Sequence, residues 1–342
     1  MNFTKFLKIL IVVLILVFYS LGLIHQINLT ADDLGRHLKN GEIIWQSKNI
    51  PQTNFYSYTY PNEPFLNHHW LAGLIFYFIF NLAGFNGLII LKTILLLTAF
   101  LIVFYIASKK GSFWLAAIFS LPIIFILNER TDVRPEIFSY FLIALFLYFL
   151  LFYGPKPGLK IFWLVPLQLF WVNTHIYFPI GILMTGGYIL TRLFRNFRSL
   201  APKALGARLL KNQFQENKKL LLLLLLLILV SFINPAGLKG ALYPFQIFQD
   251  YGYQIVENKS PFFLENLMAD PAIPFFKIIA PLLLVSFLFN LKRFSIFFFL
   301  ASLAVVLAGA QMVRNFPLVG LIALPVLSFN LKTFLDSLGA SL

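Results

Sequence analysis

Two adjacent carboxylates, Asp32 and Asp33, stand at the head of a polar, aromatic-rich segment spanning 31–71, and His37, His68 and His69 follow within it. A carboxylate beside a hydroxyl can act as a general base, because its oxygens only accept hydrogen bonds and so orient the proton that leaves. Aspartate also caps helices by accepting backbone N–H bonds, and Leu34–Gly41 after the pair has a short helical pattern. Both roles are open for either aspartate. A second set lies in Asn128–Pro135, where Glu129, Arg130, Asp132 and Arg134 crowd into eight residues. Guanidinium forks suit phosphate or pyrophosphate, and the same residues also suit a salt-bridged turn. Arg314, in Gln311–Phe316, is a similar phosphate ligand, and His175 sits with Asn173 in Trp171–His175. Clustered histidines and aspartates leave a divalent metal possible, although their spacing matches no recognised ligand signature.

These residues need a scaffold, and composition names it. Of 342 residues 59% are hydrophobic and only 12% charged, against about 25% charged in soluble proteins, and mean hydropathy is +0.82. Repeated apolar runs of roughly 20 residues, each long enough for ~30 Å of hydrocarbon, predict an all-α polytopic membrane protein in one integral membrane domain over 1–342. The N-terminal run 6–25 exceeds a signal-peptide core and is read as a transmembrane helix. The net charge of +14 is explained by basic residues in short loops between spans, so no nucleic-acid partner is expected. Cysteine is absent, which removes disulfides and thiolate metal sites.

Orientation turns on the run 70–83, which is short for a span and ends near Asn81 and Gly84. Read as an interfacial, non-spanning helix, it leaves about ten crossings with the N-terminus cytoplasmic, and most Lys and Arg fall on the inner side. The segment 26–85 is then a long first extracytoplasmic loop carrying juxtamembrane helices. A basic cytoplasmic loop covers 194–218, expected to lie on anionic lipid, and a second large outer loop covers 234–273. All the segments with chemical residues then share the outer face of a cell (plasma) membrane protein.

Taken in order, the motifs resemble the GT-C superfamily of polytopic membrane glycosyltransferases, specifically a bacterial branch related to polyprenyl-phosphate-sugar-dependent mannosyltransferases and arabinosyltransferases. The matching residues are Asp33…His37-Leu38…Gly41, Ile50-Pro51…Tyr56-Ser57-Tyr58-Thr59, His68-His69-Trp70-Leu71, Arg134-Pro135…Phe138-Ser139, Trp171-Val172-Asn173-Thr174-His175…Phe178, Asn234-Pro235…Gly237 and Arg314…Pro317. They cover roughly residues 30–325. Gly35 and Arg36 depart from expected aromatics, Asn54 from an acidic residue and His69 from the usual Glu.

The resemblance implies a first outer loop packed over a lipid-facing cavity, with sugar transferred from a polyprenyl-phosphate donor to a lipid, glycan or protein acceptor, with inversion. Carried over, Asp33 is the base with Asp32 as the fallback. Arg134 and Arg314 hold phosphate, and His37, His68 and His175 line the cavity, with Arg130, His69 and Asn173 as further substrate-binding candidates from the residues themselves. Two other functions compete, a lipid-linked saccharide flippase and a catalytically inactive scaffold. A flippase calls for charge along its membrane path, and apart from Lys92 the interiors of the predicted spans are nearly uncharged.

Overall fold

The computed structural model describes residues 3–28, 33–199, 207–246 and 255–339. Asp32, residues 200–206 of the basic loop and residues 247–254 of the second outer loop lie outside them. The described chain is helical: α1 (Phe3–Leu23), α2 (Leu34–Ser47), α3 (Trp70–Lys110), α4 (Phe113–Leu127), α5 (Glu136–Tyr153), α6 (Leu164–Thr174), α7 (Pro179–Ser199), α8 (Ala207–Val230), α9 (Gly237–Leu242), α10 (Pro261–Leu264), α11 (Ala272–Val285), α12 (Ile296–Gln311) and α13 (Phe316–Ser337). A single antiparallel bridge, Thr53 to Pro64, pins the loop between α2 and α3.

Among the described residues six helical segments are long and apolar enough to cross a membrane, and 179–194 and 296–311 are shorter apolar helices. The protein is therefore a multi-pass helical membrane protein. With lipid outside, an apolar side chain gains little by moving inward, so helix contacts rely on close packing and on hydrogen bonds between helices. The central helix α13 shows both, and it packs on α3, α4, α5, α11 and α12. Gly320 lets Leu127 of α4 approach so closely that a Cβ there would lie 2.7 Å from it. Near its other end, Ser328 Oγ donates to Ala107 O (3.0 Å) and accepts from the Ser112 amide (3.1 Å), while Asn330 Nδ2 donates to Ser286 Oγ (2.8 Å).

Helix α3 has 41 residues, about 60 Å at 1.5 Å per residue and twice the thickness of a bilayer core. It is interrupted at Ala83 and Gly84, whose φ of +59° is accessible to glycine at little cost. The break falls where the apolar run 70–83 was expected to end. The part before it packs along α2, and the contact is backbone to backbone: a Cβ on Gly41 would stand 2.2 Å from Gly73 O. This pair of helices carries Asp33, His37 and, immediately before α3, His68 and His69.

The two glycines of α2 make a paired test. Gly41→Ala forces α2 and α3 apart and is expected to cost about 1–3 kcal/mol. Gly35, with nothing within 4 Å of its missing Cβ, should accept Ala with unchanged or slightly higher stability. Thermal unfolding of both variants in detergent checks this. Equal melting temperatures would place the α2–α3 contact elsewhere.

Candidate functional site

The segment from Asn128 to Ser139 turns the chain from α4 into α5 and lays down the charged floor of the site. Arg130 is 6% exposed, and its guanidinium hydrogen-bonds Glu136 at the start of α5 and Glu257 in the turn 256–258. Burying a guanidinium demands such partners. Arg134 reaches the same Glu257 carboxylate at 3.1 Å, and Arg314, at the start of α13, lies 3.9 Å from it and donates to Asn258 Oδ1 at 2.9 Å. One carboxylate thus gathers three guanidinium groups.

Above this floor is a cavity of about 260 Å³. Asp33, Arg36, His37, His68, His69, Arg134, Glu136, His175, Glu257 and Arg314 all line it. Residues separated by almost three hundred positions therefore converge. Asp33 stands at the rim with its side chain 65% exposed. It makes no side-chain cap to α2, and its carboxylate instead accepts from Arg36 Nη2 at 2.9 Å. Arg130 and Asn173 take other positions. Arg130 lies beneath the lining, spent on its two carboxylates. Asn173 is a strut: it accepts from Trp70 Nε1 (2.9 Å) and donates to Leu169 O (2.8 Å) and Ile233 O (3.0 Å), tying α3, α6 and the end of α8 together.

Four imidazoles form one wall. His68 and His69 rings are 3.8 Å apart, His69 stacks on His175 at 5.1 Å, and His37 meets His69 edge-on at 5.5 Å. Such proximity is tolerable for neutral rings. Burial holds all four far below the usual histidine value: His37 and His175 are pushed down to about 3 and His68 to about 4, and burial helped by the neighbouring rings holds His69 well below the usual value too.

A larger cavity of about 640 Å³ adjoins the first, sharing Phe65, His68, Ile176 and Tyr243. Its floor is the turn 234–237, where Asn234 Oδ1 accepts from the Ala236 amide and Gly237 takes a φ of +52°. That turn explains the Asn-Pro-x-Gly pattern. Beyond it, sharing Trp70, Asn234 and Pro235, runs an apolar groove of Leu71, Pro166, Leu169, Phe170 and Ile233. The three spaces therefore grade from charged to apolar.

Glu136, Glu257, Arg36 and Asn258 received no site role from the sequence, although Glu257 and Asn258 fall in the outer loop expected over 234–273. Two arginines in Asn128–Pro135 already called for a carboxylate, and Glu136 stood next to them. Glu257 is 127 residues from Arg130, and nothing local marked the two as partners. Among the described residues no group of three or more His, Cys, Asp or Glu is arranged to hold a metal ion.

The imidazoles set a pH dependence. Their folded pKa values lie below the unfolded value near 6.5, so protons favour the unfolded chain as pH falls below that value. Their contribution is fully present above about pH 6.5 and declines toward pH 4, by up to ~1.4 kcal/mol per pH unit for each ring. Melting temperature in detergent should be flat from pH 8 to 7 and fall between 6.5 and 5, with a shallower fall in His37→Phe. A flat profile down to pH 5 would mean that the rings are already charged or exposed.

Comparison with protein-family models and with curated proteins finds no match for this chain.

Proposed function

We propose that the protein is an integral-membrane glycosyltransferase of the GT-C kind, moving a sugar from a polyprenyl-phosphate donor to an extracytoplasmic acceptor with inversion. The observation that carries this reading is the graded set of cavities. A donor of this class has an apolar chain, a phosphate and a sugar in series. The groove of Leu71, Leu169, Phe170 and Ile233 suits the chain, and the arginine-lined chamber suits the phosphate. In this reading the chain crosses the plasma membrane about ten times with a cytoplasmic N-terminus, and both cavities open outward.

Within the chamber, Arg134 and Arg314 neutralise the phosphate as it departs from the anomeric carbon. Asp33 takes the proton of the attacking hydroxyl. Its position at the rim, with an exposed carboxylate already oriented by Arg36, lets an acceptor approach from outside while the donor lies inside. Arg130 fixes Glu136 and Glu257, which hold the two phosphate-binding arginines in register.

The base is tested by Asp33→Asn. Because the Asp33 side chain caps nothing, the variant should fold with wild-type stability, yet sugar transfer in membranes should fall by about 10²–10⁴. Asp32→Asn made in parallel decides between the two aspartates. Near-wild-type transfer by both variants would refute a carboxylate base in this segment.

A further inference from the structure

We infer that His68, His69 and His175 form a hydroxyl-reading surface, two presenting bare Nε2 acceptors and one an Nε2–H donor, with each tautomer fixed by its hydrogen-bond partners. The assignment of a sugar as the group being read rests on the glycosyltransferase reading; the tautomers rest on the hydrogen bonds alone.

A backbone carbonyl only accepts, so an imidazole nitrogen bonded to one must carry the proton. His68 Nδ1 lies 3.2 Å from Leu66 O, and His69 Nδ1 lies 3.3 Å from Thr174 O. Both rings therefore carry Nδ1–H and keep a lone pair on Nε2. His175 is the reverse. Trp171 Nε1 is a donor only and gives its hydrogen to Ser139 Oγ at 2.7 Å. The one hydroxyl proton of Ser139 is then directed to His175 Nδ1, also at 2.7 Å, and the Tyr177 amide points at the same nitrogen from 3.4 Å. With Nδ1 accepting, the proton of the neutral ring sits on Nε2. The closest carboxylate oxygen, Glu136 Oε2, is 3.8 Å from it, beyond hydrogen-bond range, so this N–H is left for a ligand.

The relay is rigidly built, with Trp171 and Ser139 fully buried and His175 2% exposed. The charged groups lining the cavity with these rings are Asp33, Glu136, Glu257, Arg36, Arg134 and Arg314, and burial keeps the rings neutral among them. A neutral acceptor lone pair repels a phosphate oxygen and attracts a hydroxyl. A mixed pair of acceptors and a donor fits a group that both gives and takes hydrogen bonds, which describes a polyol such as a sugar ring. The phosphate is thereby left to the arginines. His69 supplies an acceptor without a charge. Ser139 and Trp171 are positioning residues, acting through His175.

The test uses the full-length protein, labelled with ¹⁵N-histidine in lipid nanodiscs, with resonances assigned from His68→Gln, His69→Gln and His175→Gln. At pH 7 the expected pattern is Nδ1–H for His68 and His69 and Nε2–H for His175. Ser139→Ala should turn His175 alone into a tautomer mixture, an effect that loss of packing would not produce. Nδ1–H on His175, Nε2–H on either of the others, or an imidazolium at pH 7 overturns the inference whatever the protein's activity. A second arm compares binding of a polyprenyl-phosphate hexose with that of bare polyprenyl phosphate. His69→Phe should weaken the first about tenfold and leave the second unchanged, and His69→Gln, which keeps an acceptor, should recover most of the loss. Equal loss for both ligands, or no loss for either, assigns the ring to packing. A wild type that binds neither ligand removes the donor assignment and the hydroxyl-reading role together, while the tautomer pattern is still read directly.

Discussion

A buried guanidinium, Arg130, between the carboxylates of Glu136 and Glu257 holds the site end of this protein together. It joins the turn after α4, the first residue of α5 and a loop more than a hundred residues further on. Removing one partner of a buried pair costs about 3–5 kcal/mol, because the remaining charge has no water to replace it. The arrangement therefore works as a registry device. It sets Glu257 where Arg134 and Arg314 can share it, and Glu136 where it faces His175 across 3.8 Å.

The site divides its electrostatics into two parts. Arginine and carboxylate side chains form a floor in which Arg36, Arg130, Arg134 and Arg314 are each close to an acidic partner. The histidine wall carries no charge, since burial and mutual contact keep the rings neutral. An anionic ligand entering the chamber competes with Glu257 for guanidinium groups. A neutral hydroxyl-rich group meets less competition along the wall, because among the described residues His68 and His69 hydrogen-bond the protein through Nδ1.

Much of the scaffold was legible from local chemistry. Apolar runs mark helices regardless of what they pack against, and Gly84 and Gly237 mark places where the backbone turns left-handed. The convergence of 31–71, Asn128–Pro135, Trp171–His175 and Gln311–Phe316 on one cavity could be anticipated because all fall at helix ends of the same side. Partnerships could not. Arg130 and Arg134 share one eight-residue turn and both reach Glu257, yet one is buried beneath the lining and the other faces the cavity, Arg130 being drawn inward by its second pairing with Glu136. Asn173 borders the apolar groove and also acts as a strut, a role the sequence did not show because its Trp70 partner lies 103 residues away. Asp33 read equally well as a cap or a base, and its carboxylate turns to Arg36 instead of the helix amides.

The central claim is that the arginine chamber receives the phosphate of a lipid donor. It is tested most directly by titrating polyprenyl phosphate into nanodisc-embedded wild type and Arg134→Lys. Lysine keeps the charge and its attraction to Glu257 but loses the planar fork. Affinity should fall about tenfold with an unchanged melting temperature. Equal affinity in a folded Arg134→Lys protein would contradict the account, leaving Arg134 as a structural partner of Glu257 alone.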